Sequence, residues 1–320
     1  MHKLFDPPSV PELPLPTEQI AGEAEIDASV QSFVTLPTWQ LVTLGVVLLC
    51  LLALVIWLAV RRKKTARRPD KMTSLQIGKL HEQGAREEQQ DSFGVSDESL
   101  AETHGVLIAV ADGMGGLEDG GKVSSTVVET VLDQFLTLAG EKNQKALLLT
   151  LAHQAVKSVN ELLGPGSYRK SGSTLSLGYI RDGMFSFLNI GDSRICLLRD
   201  GALLQLNREH TYENELSLRA INGELTVNDA LSDPKGSGLV NFIGMGELKQ
   251  FDMPASPLPL QAGDKLILMS DGVYNALQES EILAALSVPC EEAVEKLRAA
   301  INGKQYTNQD NFTAVIVACS

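Results

Sequence analysis

The chain has 320 residues with a hydrophobic content of 44%, which is enough to bury a full core in one large domain. Its four cysteines have no paired spacing, which excludes a disulfide scaffold and a cysteine zinc site. The formal net charge of −13 at pH 7 argues against nucleic acid as a partner, because a polyphosphate backbone would be repelled.

An uncharged apolar segment lies near the N-terminus. Residues 39–60 read WQLVTLGVVLLCLLALVIWLAV, which as a helix spans roughly 30 Å of hydrocarbon. Trp39 and Trp57 lie near its ends, and the basic residues of 61–68 follow it. A cleaved signal peptide would carry its positive charges before the apolar segment, and a buried core helix of this length would rarely lack charge. The pattern predicts a single uncleaved transmembrane helix with the N-terminus outside.

The flanking segments complete the predicted domain organisation. Residues 1–38 are rich in proline and acidic side chains, and so they are expected to be extracytoplasmic and disordered. Residues 61–71 form a basic juxtamembrane linker. Residues 72–320 form a soluble domain of ordinary single-domain size, placed on the cytoplasmic face of the cytoplasmic (inner) membrane.

The predicted elements of residues 72–320 mix helices with strands. Apolar runs predict strands, and apolar residues at helical spacing predict helices. Short Asp-Gly turns at 182–183 and 200–201 predict antiparallel hairpins, and residues 211–247 are polar enough to form an inserted flap. In chain order, the predictions are a strand at 106–111, helices at 127–136 and 148–163, strands at 174–180, 184–190, 195–198, 202–206 and 265–269, a helix at 291–300 and a strand at 312–318. This order favours an α+β sandwich.

Several aspartates stand where predicted strands begin or end. Asp112 directly follows an apolar strand, Asp271 follows another strand after Ser270, and each precedes a glycine. A lone Asp-Gly pair is more often a simple turn, but ordinary turns do not require an apolar strand before them. Converging carboxylates repel one another and need a counter-charge, which Mg²⁺ or Mn²⁺ supplies. The aspartates in such positions are Asp91, Asp112, Asp192, Asp271 and Asp310.

The motifs around these aspartates resemble those of the metal-dependent protein phosphatases of the 2C type (the PPM family), in the compact bacterial form. The matching segments cover nearly the whole soluble domain. They are Gly84–Ser92, Ala111–Gly116, Ser171–Thr174, Asn189–Arg194, Glu209–Thr211, Ile243–Gly246, Ser270–Gly272 and Asp310–Thr313. The resemblance implies a four-layer αββα sandwich, in which helices flank two antiparallel sheets.

The resemblance also implies a site for two Mn²⁺ or Mg²⁺ ions. Asp112, Asp271 and Asp310 would ligate the first ion. Asp112 would bridge to the second ion, which the carbonyl group of Gly113 would also serve. Asp192, together with Asp271, matches the third and weaker ion of bacterial members.

Two residues have implied catalytic roles. Asp91 would hold metal-bound waters, and Arg86 would pair with the substrate phosphate through its guanidinium fork. The sequence departs from the family at Gln90, where many eukaryotic members have Glu, and at Met114, where animal members have a His proposed as general acid. For His210, a structural and a catalytic role fit the sequence equally well.

The implied activity is hydrolysis of phosphoserine and phosphothreonine in proteins by water that two metal ions activate. A serine/threonine kinase at the same membrane is the implied partner. One alternative is a catalytically inactive regulatory module that binds phosphoproteins. A metal-dependent nuclease or cyclase also uses paired carboxylates, but the acidic domain disfavours it.

Overall fold

The computed structural model describes residues 37–65, 74–115, 119–138 and 141–320. Most of the predicted extracytoplasmic segment 1–38, and residues 66–71 of the predicted linker, lie outside the described residues. The chain divides into two units, Met1–Ala66 and Arg67–Ser320.

The first unit contains the helix α1 (Thr38–Thr65), which covers the apolar segment 39–60. Many of its described apolar side chains are exposed, among them Trp39 and Leu49. Across the residues that the structure describes, no helix combines the length and the apolarity needed to cross a lipid bilayer. The membrane span at 39–60 therefore stays a prediction from the sequence.

The second unit contains the remaining described helices and all the described strands. The helices are α2 (Ala101–His104), α3 (Asp119–Thr137), α4 (Gln144–Leu163), α5 (Tyr212–Ile221), α6 (Val227–Leu231), α7 (Asp271–Tyr274), α8 (Glu279–Leu286) and α9 (Cys290–Gly303). The strands are β1 (Leu75–Glu82), β2 (Asp91–Val95), β3 (Val106–Met114), β4 (Gly172–Ser173), β5 (Leu175–Arg181), β6 (Met184–Ile190), β7 (Arg194–Arg199), β8 (Ala202–Gln205), β9 (Leu258–Pro259), β10 (Lys265–Met269) and β11 (Phe312–Cys319).

These strands form two antiparallel sheets. The first sheet has the order β1-β11-β10-β7-β8, and the second has the order β2-β3-β5-β6-β9, with β4 paired to β3. Apolar side chains from both sheets, such as Ile108 and Val315, form a core between them. Helices α3 and α4 pack on the outer face of the second sheet, and α8 and α9 pack on that of the first. The predicted αββα sandwich of two antiparallel sheets is therefore confirmed.

The pairing of the strands brings the aspartate motifs to one end of the sandwich. Asp91 and Asp112 are direct partners across β2 and β3. Strand β10 pairs with β11, and the Ser270 amide just beyond β10 donates to the carbonyl oxygen of Thr313 at 3.0 Å. Because β10 ends where β11 begins, Asp271 and Asp310 also meet at this end of the fold.

Candidate metal centre

A cavity of about 390 Å³ opens at the end of the sandwich where the aspartates meet. Four of the five predicted aspartates line it, together with two residues of the 211–247 segment. The lining residues are Arg86, Gln90, Asp112, Gly113, Met114, Gly115, Asp192, Ser237, Leu239, Asp271, Asp310 and Asn311. Of the described residues that line the cavity, only Arg86 carries a basic side chain.

Asp91 lies behind the cavity wall rather than in its lining. The residue is 4% exposed, and its Oδ2 atom accepts a hydrogen bond of 2.6 Å from the hydroxyl group of Ser270. Burial raises the pKa of Asp91 to about 7. Burial also raises the pKa of Asp112 well above its ordinary value, and the neighbouring Asp91 adds to that effect. The two strand partners are therefore carboxyl groups that lack sufficient positive charge nearby.

Asp271 and Asp192 face the same cavity from two other segments. Asp271 is the first residue of α7, and its Oδ2 atom accepts a hydrogen bond of 3.1 Å from the Asn275 amide. Burial raises the pKa of Asp271, and Asp310 contributes further. Asp192 lies between β6 and β7, and burial raises its pKa to about 7, with Asp271 as the next cause. Each carboxylate thus makes its neighbours harder to ionise.

Asp310 differs from the other carboxylates because an arginine pairs with it. The Nη2 atom of Arg86 donates to the Oδ2 atom of Asp310 at 2.6 Å. More than half of the Arg86 side chain is exposed, at 56%. The structure therefore places Arg86 at the mouth of the cavity, within reach of a ligand that enters from solvent.

Asn311 holds the loop that carries Arg86, a role that the motifs alone do not reveal. Its Oδ1 atom accepts from the Gln90 amide at 2.8 Å, and its Nδ2 atom donates to the carbonyl oxygens of Gln83 and Glu88 at 2.7 and 3.0 Å. The Asn311 side chain is buried, so these bonds are shielded from water. The motif position next to Asp310 was the signal that could have suggested this role.

Two glycines of the motifs are required by close packing of the backbone. A Cβ atom at Gly113 would lie 2.2 Å from the carbonyl oxygen of Gly120. A Cβ atom at Gly272 would lie 2.0 Å from the carbonyl oxygen of Asn311. Both distances are far below van der Waals contact, so only glycine lets these segments pack beside the carboxylates.

His210 and the cysteines of this unit are buried outside the cavity. The Nδ1 atom of His210 accepts from the Gly191 amide at 3.1 Å, and burial lowers the pKa of the ring to about 4. This arrangement favours the structural role for His210. Burial raises the pKa of Cys196 and of Cys319 to about 12, so neither thiol is a nucleophile near neutral pH.

The donor set fits a hard divalent cation. It consists of carboxylate oxygens, and burial beside other carboxylates raises the pKa of Asp112 and of Asp271, a condition that a Mg²⁺ or Mn²⁺ ion relieves. Three of the carboxylates accept hydrogen bonds from protein side chains: Asp310 from Arg86, Asp91 from Ser270 and Asp271 from Asn275. In the arrangement adopted here, the described part of the chain contains no group of three or more His, Cys, Asp or Glu side chains that could hold a metal ion.

In the absence of divalent cations, we expect the free energy of unfolding to fall as the pH rises from about 4 to about 7. The folded state raises the pKa of Asp91 and of Asp192 to about 7, against 3.8 for an ordinary aspartate. The folded protein then holds protons that the unfolded chain has released, so this stability is present below pH 3.8 and is lost as the pH rises through 7.

Thermal unfolding in EDTA, followed over this pH range, measures the effect. Replacing Asp91 by Asn should flatten the profile, because the amide does not titrate. A wild-type profile that rises steadily with pH would contradict the prediction.

Comparison with known proteins identifies the family. The family model for protein phosphatase 2C matches residues 77–309. The protein phosphatase PhpP of Streptococcus pneumoniae is 31% identical over 220 residues, which cover 66% of this chain and 85% of PhpP. The solved serine/threonine phosphatase of S. agalactiae is 26% identical, with a TM-score of 0.67, and the match covers 77% of this chain and all of that one.

A further solved structure is the catalytic domain of the serine/threonine protein phosphatase PstP in complex with two manganese ions. It has a TM-score of 0.61 at 23% identity, and the match covers 77% of this chain and 98% of that one. At this identity the similarity establishes the fold alone.

The chain therefore belongs to the protein phosphatase 2C family, because the family model matches well over half of its length. Within this class it is a protein-serine/threonine phosphatase, and hence a hydrolase. The family that the sequence motifs predicted is confirmed.

Proposed function

We propose that the chain hydrolyses phosphoserine and phosphothreonine esters in proteins with the help of two Mn²⁺ or Mg²⁺ ions held in the carboxylate cavity. The observation that carries the proposal is the convergence of Asp112, Asp192, Asp271 and Asp310 on one cavity with Arg86 at its mouth. The raised pKa values of the buried carboxyl groups support a site built for cations.

The ligand assignment follows the motifs. Asp112, Asp271 and Asp310 would hold one ion, and Asp112 and the carbonyl group of Gly113 would hold the other. A third and weaker ion would bind near Asp192. The PstP structure, which contains two manganese ions, supports a site for two ions. Bound ions would supply the positive charge that activates water and offsets charge on the phosphoryl oxygens.

The chain's own residues bind and orient the phosphoester. Arg86 has guanidinium donors suited to phosphoryl oxygens, and it would exchange its bond to Asp310 for them. Asn311 orients the loop that carries Arg86. Ser237 and Leu239 form the side of the cavity that faces the carboxylates from residues 211–247. None of the described cysteines lines this cavity, so the proposed reaction forms no covalent phosphoenzyme on a thiol.

The test is hydrolysis of a phosphothreonine peptide by the purified full chain with Mn²⁺. We expect turnover with Mn²⁺ or Mg²⁺ and a loss of at least about a hundredfold in EDTA, because the ions contribute several kcal/mol to transition-state stabilisation. Adding back Mn²⁺ in excess should restore the rate. Turnover that EDTA leaves unchanged would refute the metal mechanism. Binding of the phosphopeptide without turnover would instead favour an inactive regulatory module.

We further propose that residues 39–60 anchor the enzyme in the cytoplasmic membrane as a single pass, with the catalytic domain in the cytoplasm. The uncharged sequence and the basic segment after it carry this proposal. The exposed apolar side chains of α1 support it, because a large exposed apolar surface is typical of a site that contacts a membrane or another protein. A serine/threonine kinase at the same membrane would supply the substrates.

Fractionation of cells tests the anchor. The full chain should remain with the membranes after washing at high salt and at alkaline pH, and a chain with several charged residues placed in 46–54 should be released. Protease added outside intact spheroplasts should leave the catalytic domain intact. Release of the full chain by the alkaline wash would argue against a membrane span.

A further inference from the structure

A set of contacts links Asp192 to Glu209, which lies just before the 211–247 segment. Arg194, the first residue of β7, donates from Nε to the Oε1 atom of Glu209 at 2.6 Å. The Cζ atom of the same guanidinium group lies 3.7 Å from the centroid of the Tyr274 ring. The hydroxyl group of Tyr274 donates to the carbonyl oxygen of Asp192 at 3.1 Å. Arg194 is therefore joined through Tyr274 to the backbone of Asp192, whose side chain lines the carboxylate cavity.

Tyr274 is also tied to a second carboxylate of the cavity. It is the last residue of the single-turn helix α7, whose first residue is Asp271. A movement of the Tyr274 ring would therefore be felt both at Asp192, through the hydroxyl group, and at Asp271, through the helix backbone.

Tyr274 packs against the apolar cluster between the first sheet and its helices, but it also borders open space. It lines a second cavity of about 70 Å³, on the side of the first sheet that faces α8, together with Arg194 and Leu277. A ring beside open space depends on its specific contacts, and a planar guanidinium group stacked on it is a favourable one. Glu209 holds that guanidinium group in place and is itself largely buried, with 16% of its side chain exposed.

We propose that Arg194 and Tyr274 are positioning residues for the metal site. Neither residue lines the carboxylate cavity. Both act by holding Asp192 and Asp271 in the positions that these two residues occupy in its lining. Contacts behind a metal ligand commonly set metal affinity by about one to two orders of magnitude. This inference rests on the proposed function, because it assumes that the carboxylates bind divalent cations.

The test measures Mn²⁺ binding by calorimetry on the full chain and three variants. Arg194→Gln removes the stacked charge, and Tyr274→Phe removes only the hydroxyl group that reaches Asp192. The control is Arg199→Gln at the other end of β7, where Arg199 forms a comparable pair with Asp264 at 2.6 Å, far along the strand from the cavity. If Mn²⁺ affinity fell only because the protein became less stable, the control should lose as much affinity as Arg194→Gln.

We expect the weakest Mn²⁺ site to lose about tenfold in affinity in Arg194→Gln and in Tyr274→Phe, and to keep wild-type affinity in Arg199→Gln. The half-activating Mn²⁺ concentration should rise by the same factor, whereas the KM for a phosphothreonine peptide at saturating Mn²⁺ should stay within about twofold. The Mn²⁺ affinity of the double variant should be close to that of the single variant that binds Mn²⁺ more weakly, because the two residues act through one another.

Wild-type Mn²⁺ affinity in both Arg194→Gln and Tyr274→Phe would overturn the inference, and so would an equal loss in Arg199→Gln. A wild-type chain that binds no Mn²⁺ would refute the proposed metal site itself, and the inference with it. If Arg194→Gln does not fold, Tyr274→Phe decides alone, because removing one hydroxyl group leaves the ring and its stacking in place.

Discussion

The Asp112→Asn variant is expected to lose about three orders of magnitude or more in kcat/KM for a phosphothreonine peptide. Asp112 lines the cavity, and its neighbours Asp91 and Asp271 lie close enough to influence its pKa. An amide at this position cannot neutralise the proposed cations, which supply several kcal/mol of transition-state stabilisation, and each 1.36 kcal/mol corresponds to tenfold in rate.

The same variant is expected to be at least as stable as the wild type in EDTA at pH 7. Burial and the neighbouring Asp91 raise the pKa of Asp112, so the folded state is destabilised when this group ionises. Asparagine removes that cost. Activity and stability should therefore change in opposite directions, which a misfolded variant would not show.

Steady-state kinetics and thermal unfolding measure the two effects. Asp133→Asn provides a matched control, since Asp133 is exposed on α3 and should tolerate the change in both assays. A variant of Asp112 that keeps more than about a tenth of the wild-type kcat/KM at saturating Mn²⁺ would contradict the ligand role.

The Arg86→Ala variant is expected to lose about a hundredfold in kcat/KM, chiefly through a higher KM for the phosphopeptide. Arg86 is the basic side chain at the mouth of the cavity, and its charge-assisted donors suit phosphoryl oxygens. Arg86→Lys should retain part of the activity, because lysine keeps the charge but loses the planar fork. The melting temperature should change little, because an ion pair this exposed contributes at most about 1 kcal/mol.

Arg298→Ala is the control for loss of an arginine pair. Arg298 bonds to Glu82 at 2.8 Å from α9, on the helical layer that covers the first sheet. We expect wild-type kinetics in this variant. Equal losses in Arg86→Ala and Arg298→Ala would show that the effect comes from general charge rather than from phosphate binding.

The positions of many strands along the chain could be predicted because they depend on local patterns. Strand β10 coincides with the predicted 265–269, and β6 coincides with the predicted 184–190. The Asp-Gly turns also formed as predicted: Asp182 and Gly183 both have positive φ, as tight hairpins require. These features involve contacts within a few residues, where residue type decides the outcome.

Several of the elements that the sequence did not predict have weaker local patterns, although α8 has a clear capping box and apolar residues at helical spacing. Strand β1 alternates between exposed and buried positions and lacks a continuous apolar run, and β2 carries the polar Asp91 as its first residue. In the 211–247 segment, α5 and α6 were missed because few of their side chains are buried, while Ile221 is 81% exposed. Their helical form depends on packing against each other, which the periodicity does not reveal.

The amino-acid sequence by itself determined the family, through motifs whose aspartates stand in strands or next to them. Only the tertiary structure decided that Asp91 lies behind the cavity wall, that Arg86 pairs with Asp310, and that Arg194 reaches the site through Tyr274. The reason is distance along the chain. Asp91 and its partner Ser270 are 179 residues apart, so their contact depends on how the two sheets pack and on no pattern within either segment.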